Sequence, residues 1–316
     1  MPTLSEYEKG DIDPLLIGVY DNIVTASELA PFLEFEEHTG VSSNWLRENS
    51  LGAASTHQVG DTWVDTEPTR TTKTAKLATV GIQHPLDRMA SQTLGSVQSQ
   101  QALLMTDMTK SLTRKLEDLW VTGNSGSVST EPEGLTSLLI ADSRLLMMDD
   151  GSTPGTIAGD ETELDQDRLD AMIDMVENGA PDVLVMNKTM RRKITSLARQ
   201  SGSGITLNTM EAHGRQYTTY AGIPIVINDY ITNAETYENS GAWASSTATT
   251  IFALKLGREK QGFTVLHNGP VLAPDIQELG TKFNKNEDVF RMAVYVQNVI
   301  YSAKACAGLA GIDSEA

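Results

Sequence analysis

Five histidines, one cysteine, an acidic run and a basic run are the groups in this chain whose types lend themselves to chemistry. The histidines are His38, His57, His84, His213 and His267. A helical metal site needs two of them three or four residues apart, and zinc proteolysis needs HExxH; neither spacing occurs. His57 and His213 fall in loop-like sequence, where a solvated imidazole is the simpler reading. Cys306 sits among Ala305, Ala307 and Gly308 with no histidine close by, a setting that suits a small buried hydrophobe better than a nucleophile. The carboxylates from Asp160 to Asp170 do not follow the calcium-loop pattern. They read as a solvated helix start, where negative charge suits the dipole, with weak cation binding as the alternative. There is no GxSxG elbow and no GxxxxGK[ST] phosphate loop; Gly123-Asn124-Ser125-Gly126 and Gly202-Ser203-Gly204 are too short and read as turns. Arg191, Arg192, Lys193 and Arg199 make a basic helix face, open to solvent, DNA or a partner's acidic edge. The expectation is a chain with no catalytic residues, no cofactor and no metal.

The bulk composition is ordinary for a globular chain. With 316 residues, 40% hydrophobic and 21% charged, the chain has room for two domains and an ample core. A single cysteine excludes an intrachain disulfide and a multi-cysteine zinc site. The opening MPTLSEYEKGDIDP lacks a basic stretch followed by an apolar core, so no secretory signal is expected, and the Asn187-Lys188-Thr189 glycosylation match carries no weight. No apolar run approaches the ~18 residues of a membrane span. The net charge of −18 argues against a broad basic grip on nucleic acid; it serves solubility, or makes a wall that repels DNA.

The elements that would position these groups alternate irregularly, which predicts an α+β fold rather than a doubly wound one. Residues 1–33 read as an extended arm with a short helix near Ala26 to Leu29. Strand-like sequence from Leu33 to Arg47, a polar stretch from Glu48 to Pro68 and a second strand-like run from Thr69 to Gln83 predict a long two-stranded excursion. Such a hairpin is marginal alone in water and needs another surface to lie on, such as a neighbouring subunit. Val97, Leu104, Met108, Leu112, Leu116 and Leu119 fall at helical steps and predict a helix from about Gln92 to Thr122, stopped by Gly123-Asn124. Further on, the sequence predicts a short buried piece over Leu135 to Ile140 and a helix over Asp165 to Asn178. A strand over Val183 to Met186 leads to a helix from Lys188 to Gln200 with Asn187 as N-cap. Strands are expected over Ile223 to Ile227, Thr250 to Leu256, Phe263 to His267, Ile276 to Leu279 and Val289 to Ala303. Pro224 belongs at a strand's first residues or on an edge.

The order of these parts resembles a tailed-phage major capsid protein of the Hong Kong 97 fold. TGVSSNWLREN (39–49) and TRTTKTAKLATVGIQ (69–83) are similar to the two sides of that family's E-loop β-hairpin. LLMTDMTKSLTRKLEDLWVTGN (103–124) followed by EGLTSLL (133–139) is similar to its spine helix and exit. DVLVMNKTMRRKITSLAR (182–199) followed by YAGIPIVINDY (220–230) resembles its A-domain strand–helix pair and next strand. TIFALKLGREKQGFTVLHNGP (250–270) and FRMAVYVQNVIY (290–301) resemble the closing sheet. The likeness spans nearly the whole chain and rests on order, each motif being degenerate.

The resemblance implies an N-terminal arm (1–33), an E-loop hairpin (34–83), a P-domain with the spine helix (84–157) and an A-domain (158–270). Closing strands would return to the P-domain, with a C-terminal tail (271–316). It implies a structural protein, not an enzyme, that self-assembles into hexamers and pentamers of an icosahedral shell around double-stranded DNA held without sequence-specific contacts. Trp45, Arg47, Trp63, Arg70, Lys73 and Lys76 would lie over the adjacent subunit. Scaffolding, portal and cement proteins are the further partners implied, with assembly in the host cytoplasm and residence in the virion. Many members begin with a helical scaffolding prefix that this sequence lacks, so a separate protein would scaffold, or the prefix is removed. Some members cross-link an E-loop lysine to a neighbour's asparagine; Lys73 and Lys76 are the lysines at hand, without an assignable asparagine or glutamate. An encapsulin-like nanocompartment shell is the alternative on the same fold, and a soluble α+β enzyme with a scattered site is the alternative from another class.

Overall fold

The computed structural model describes residues 28–88, 97–148, 163–177, 179–199, 208–212, 215–237, 243–244, 248–269, 274–283 and 285–314. The readings made for residues 1–27, the helix start at Gln92, most of the Asp160 to Asp170 run's lead-in, and Gly202, Gly204 and Gly214 lie outside these. The helices are α1 (Val97–Thr122), α2 (Leu135–Ala141), α3 (Gln166–Asp174) and α4 (Lys188–Arg199). The first strands are β1 (Phe35–Glu37), β2 (Ser42–Ser50), β3 (Thr69–Lys76), β4 (Ala78–Asp87), β5 (Leu145–Met147), β6 (Val183–Met186), β7 (Asn208–Ala212) and β8 (Arg215–Tyr220). They are followed by β9 (Ile223–Ile227), β10 (Thr236–Tyr237), β11 (Trp243–Ala244), β12 (Ala248–Leu254), β13 (Phe263–His267), β14 (Asp275–Thr281), β15 (Glu287–Ile300) and β16 (Cys306–Asp313).

α1 forms where the apolar stripe predicts it and rises about 39 Å over its 26 residues. Met105, Met108, Leu112, Leu116, Leu119 and Trp120 are buried along one side. Thr109 and Thr113 are buried on the same side, and each hydroxyl is satisfied by donating to the carbonyl four residues back, at 2.7 and 2.9 Å. The helix stops because Gly123 and Gly134 bring two backbone segments together. The Gly134 amide donates to the Gly123 carbonyl at 2.7 Å, and a Cβ on Gly134 would stand 2.6 Å from the Gly123 nitrogen.

Two sheets share the rest. A five-stranded sheet runs β1-β13-β15-β14 with β4 also on β15, antiparallel except for the parallel pair β1/β13. A seven-stranded sheet runs β5-β16-β12-β6-β9-β8-β7, with parallel pairs β5/β16 and β6/β9. Strand alternation divides its side chains between two cores. Val183, Val185, Phe252 and Leu254 join α1 in one core; Leu184, Met186, Ile251 and Ala253 face α3 and α4 in the other. β9 fills the expected residues, with Pro224 second in the strand, and a tight turn at Ala221-Gly222 (φ 51° and 83°) returns β8 into it.

The Thr69 to Gln83 run differs from its reading as one strand. It breaks at Leu77: β3 pairs with β2, while β4 leaves to pair with β15 from Ala78↔Val296 to Asp87↔Glu287. The expected strand over Val289 to Ala303 begins at Glu287 and ends at Ile300, and the chain then makes β16, which sequence reasoning left in a tail. The mixed α+β architecture with its projecting hairpin is the one expected of a Hong Kong 97-like fold.

Candidate functional site

The hairpin β2/β3 carries the six residues singled out in the sequence, and its register sorts them. Trp45 stands opposite Lys73, Arg47 opposite Thr71, Glu48 opposite Arg70 and Ser42 opposite Lys76. Alternation turns Trp45 and Arg47 toward the body of the protein and leaves Leu46 and Glu48 exposed.

Trp45, Arg47 and Lys73 fasten the hairpin's root. The Arg47 guanidinium donates to Asp142 Oδ1 at 2.6 Å, to the Ile300 carbonyl at 2.7 Å and, through Nε, to the Tyr301 carbonyl at 3.0 Å. Arg47 and Asp142 side chains are only 11% and 8% exposed, so this is a nearly buried ion pair with all three guanidinium nitrogens engaged. Lys73 reaches the same Asp142 oxygen at 3.5 Å. Trp45 meets the Tyr301 ring edge to face at 5.6 Å and packs with Ala75, Leu266 and Val299. The Tyr301 hydroxyl donates to Glu36 at 2.8 Å; burial first and the Glu36 carboxylate second hold its pKa far above the ordinary value. Arg258 lies over the same ring, 5.6 Å from its centre, and is ion-paired to Glu36.

Trp63, Arg70 and Lys76 are placed differently. Trp63 is 75% exposed in the tip, stacked at 4.1 Å on His57, whose Nε2 is 2.7 Å from Ser55 Oγ. Leu51, Val59 and Val64 of the same connecting stretch are exposed as well. Arg70 pairs with Glu48 at 3.3 Å in a solvated cross-strand contact, and Lys76 is exposed near the root. Six apolar or aromatic side chains of this hairpin, Val41, Leu46, Leu51, Val59, Trp63 and Val64, therefore face outward.

The groups first weighed for chemistry are dispersed. Among the described residues no cluster of three or more histidine, cysteine or carboxylate side chains could hold a metal. The Cys306 thiol is fully buried and pushed up to about 12, first by burial. His267 is buried and its pKa lowered, chiefly by desolvation. Asn187 caps α4 as its position predicts: its Oδ1 accepts from the Met190 amide at 2.8 Å. Sequence reasoning missed Asp142 and Tyr301, the partners at the hairpin root. Nothing in sequence signals them, because they lie 95 and 254 residues from Arg47.

The model of the family described as "Phage capsid family" matches residues 38–307. No curated protein matches the chain. Solved structures share its fold at low identity. The holo-SrpI encapsulin complex from Synechococcus elongatus is 17% identical with a TM-score of 0.62, over 91% of this chain and 88% of that one. The cyanophage A-1(L) capsid is 12% identical with a TM-score of 0.62, over 92% of each chain. A structure from Mycobacterium phage Adephagia is 13% identical with a TM-score of 0.57, over 90% of this chain and 89% of that one.

Proposed function

The chain belongs to the phage capsid family and is a major capsid protein of the Hong Kong 97 fold, and from that premise we propose how it builds a shell. Copies associate as hexamers and pentamers, and these close into an icosahedral capsid around double-stranded DNA. The protein acts by contact and not by catalysis. In this reading residues 1–33 are the arm, 34–83 the E-loop, 84–157 the P-domain with α1 as its spine helix, and 158–270 the A-domain. Residues 271–316 close the chain.

The observation that carries the reading is the hairpin: its polar tip exposes Leu51, Val59, Trp63 and Val64, while its root is nearly buried and ion-paired. A free two-stranded ribbon is marginal in water. Fastening its root holds the ribbon out at a fixed angle, and the outward Trp63, Arg70 and Lys76 lie across the adjacent subunit. Aromatic and arginine side chains are the ones that dominate such contacts. Trp45, Arg47 and Lys73 serve the same interface indirectly, by setting the hairpin's direction. The acidic balance keeps enclosed DNA from adhering to the wall. Scaffolding, portal and cement proteins are its further partners, and assembly takes place in the host cytoplasm.

The encapsulin likeness favours a second reading, a shell around a cargo protein, because its TM-score equals that of the cyanophage capsid. Nuclease treatment of particles isolated from their natural source separates the two. DNA protected inside supports the virion; particles that hold an enzyme and no protected DNA support the nanocompartment.

A further inference from the structure

α4 presents a charged surface away from the β2/β3 hairpin. From Lys188 to Arg199 it has five cations and no carboxylate, in a chain whose net charge is −18. Met190 and Ile194 are buried against the sheet, which turns Arg191, Arg192 and Arg199 outward. These arginines line a cleft of about 520 Å³ between α4 and Thr218 of β8, joined there by Ser196 and Thr195. Among the described residues no carboxylate lines it. Lys188, at one end, is already paired with Asp229 at 2.7 Å, and Thr195 donates to the Arg191 carbonyl at 2.9 Å. Three arginines and two hydroxyls remain as donors. The pKa of Lys193, between them on the helix, lies below its ordinary value chiefly through burial; Asp313 and Glu163 oppose that shift, and the charge of Arg192 adds the smallest share to it.

We propose that this strip binds the phosphodiester backbone of nucleic acid without reading its bases. Arginine forks match phosphate oxygens bidentately, and serine and threonine hydroxyls are regular phosphate donors. The geometry suits a repeating anion. Arg191 to Arg199 spans eight residues, about 12 Å of helix, and one DNA strand carries a phosphate every 3.4 Å of axis, so roughly three phosphates lie along the strip. A carboxylate side chain of a second copy would meet one arginine; a polyanion meets the row. The inference rests on the shell reading only for the source of the nucleic acid. Such binding is local, weak and salt-sensitive, so it coexists with a wall that is acidic overall.

The test is fluorescence anisotropy of a labelled duplex of about 20 base pairs against the purified, unassembled full-length chain, so the result does not depend on whether shells form. With three phosphate contacts, the slope of log affinity against log salt is expected near −2.7, a loss of roughly 20-fold between about 50 and 150 mM salt. The Arg191→Gln/Arg192→Gln/Arg199→Gln variant is expected to bind at least about tenfold more weakly with a flattened slope, while Lys282→Gln/Lys285→Gln binds as wild type. Should the triple variant not fold, Arg192→Gln and Arg199→Gln singly are each expected to lower the slope by about 0.9. No salt-dependent binding by the wild type, or unchanged binding by the variants, would overturn the proposal. So would a variant that loses self-association while keeping its affinity for DNA, which would assign the strip to a second copy of the chain.

Discussion

Arg47 donates to Asp142 at 2.6 Å across 95 residues of sequence, and this contact ties the projecting hairpin to the end of α2. Both side chains are nearly buried, so the pair cannot be broken without leaving a charge in a poor solvent. Arg47→Ala is expected to cost about 3 kcal/mol, the lower end of the range for such pairs, because Lys73 still faces Asp142. Urea unfolding measures the loss, and hydrogen exchange locates it. Protection should fall in 42–50 and 69–76 before it falls in the sheets. Unchanged protection there would mean that Trp45 and Lys73 suffice to hold the root.

Gly134→Ala tests the close approach that ends α1. A Cβ at this position would stand 2.6 Å from both the Gly123 nitrogen and the Val121 carbonyl oxygen, backbone atoms that cannot swing aside. The variant is expected to lose more than about 2 kcal/mol, the scale of overpacking in a fixed site. A melting temperature equal to wild type would show that the two segments separate more readily than the geometry allows.

The Cys306 thiol gives a pH-dependent expectation. Its pKa rises from an ordinary value of 9.0 to about 12 in the folded chain because burial disfavours the thiolate. A group whose folded pKa is raised holds its proton more tightly in the native state. Its contribution is therefore complete below pH 9 and is lost as the pH climbs toward about 12. Cys306→Ala should accordingly flatten the decline in stability over that alkaline window. A thiol reagent at pH 8 should label the unfolded chain and leave the native one untouched; rapid labelling of native protein would contradict the burial.

Lys73 bears on covalent cross-linking. Its ammonium is engaged with Asp142 of its own chain, at 3.5 Å, at the hairpin root. Assembled particles boiled in SDS are expected to run as a single band at monomer mass. A ladder of covalent multimers that disappears in Lys76→Arg would move the reaction to the exposed lysine instead.

Much of the fold is legible in the sequence because its signals are local. The α1 stripe, the Asn187 cap and the IPIVI strand each lie within a few residues of the feature that specifies them. β16 is less legible: CAGLAGID is built of small residues, and its strand state comes from pairing with β12 on one side and β5 on the other. The break at Leu77 is hidden for a related reason. Threonine, lysine and alanine continue through it without a turn residue, and only the separate partners of β3 and β4 divide the run. At the candidate site the sequence names the hairpin and its six residues but not which of them turn inward. That division depends on register and on Asp142 and Tyr301, both distant in sequence.

Shell building through the hairpin is tested by negative-stain microscopy with size-exclusion chromatography on the wild type and on Trp63→Asp. Shells, tubes, or hexamers and pentamers are expected from the wild type, and a strongly reduced yield from a Trp63→Asp chain that still folds. A wild-type protein that stays a monodisperse monomer, alone and with its natural partner proteins co-expressed, would contradict it.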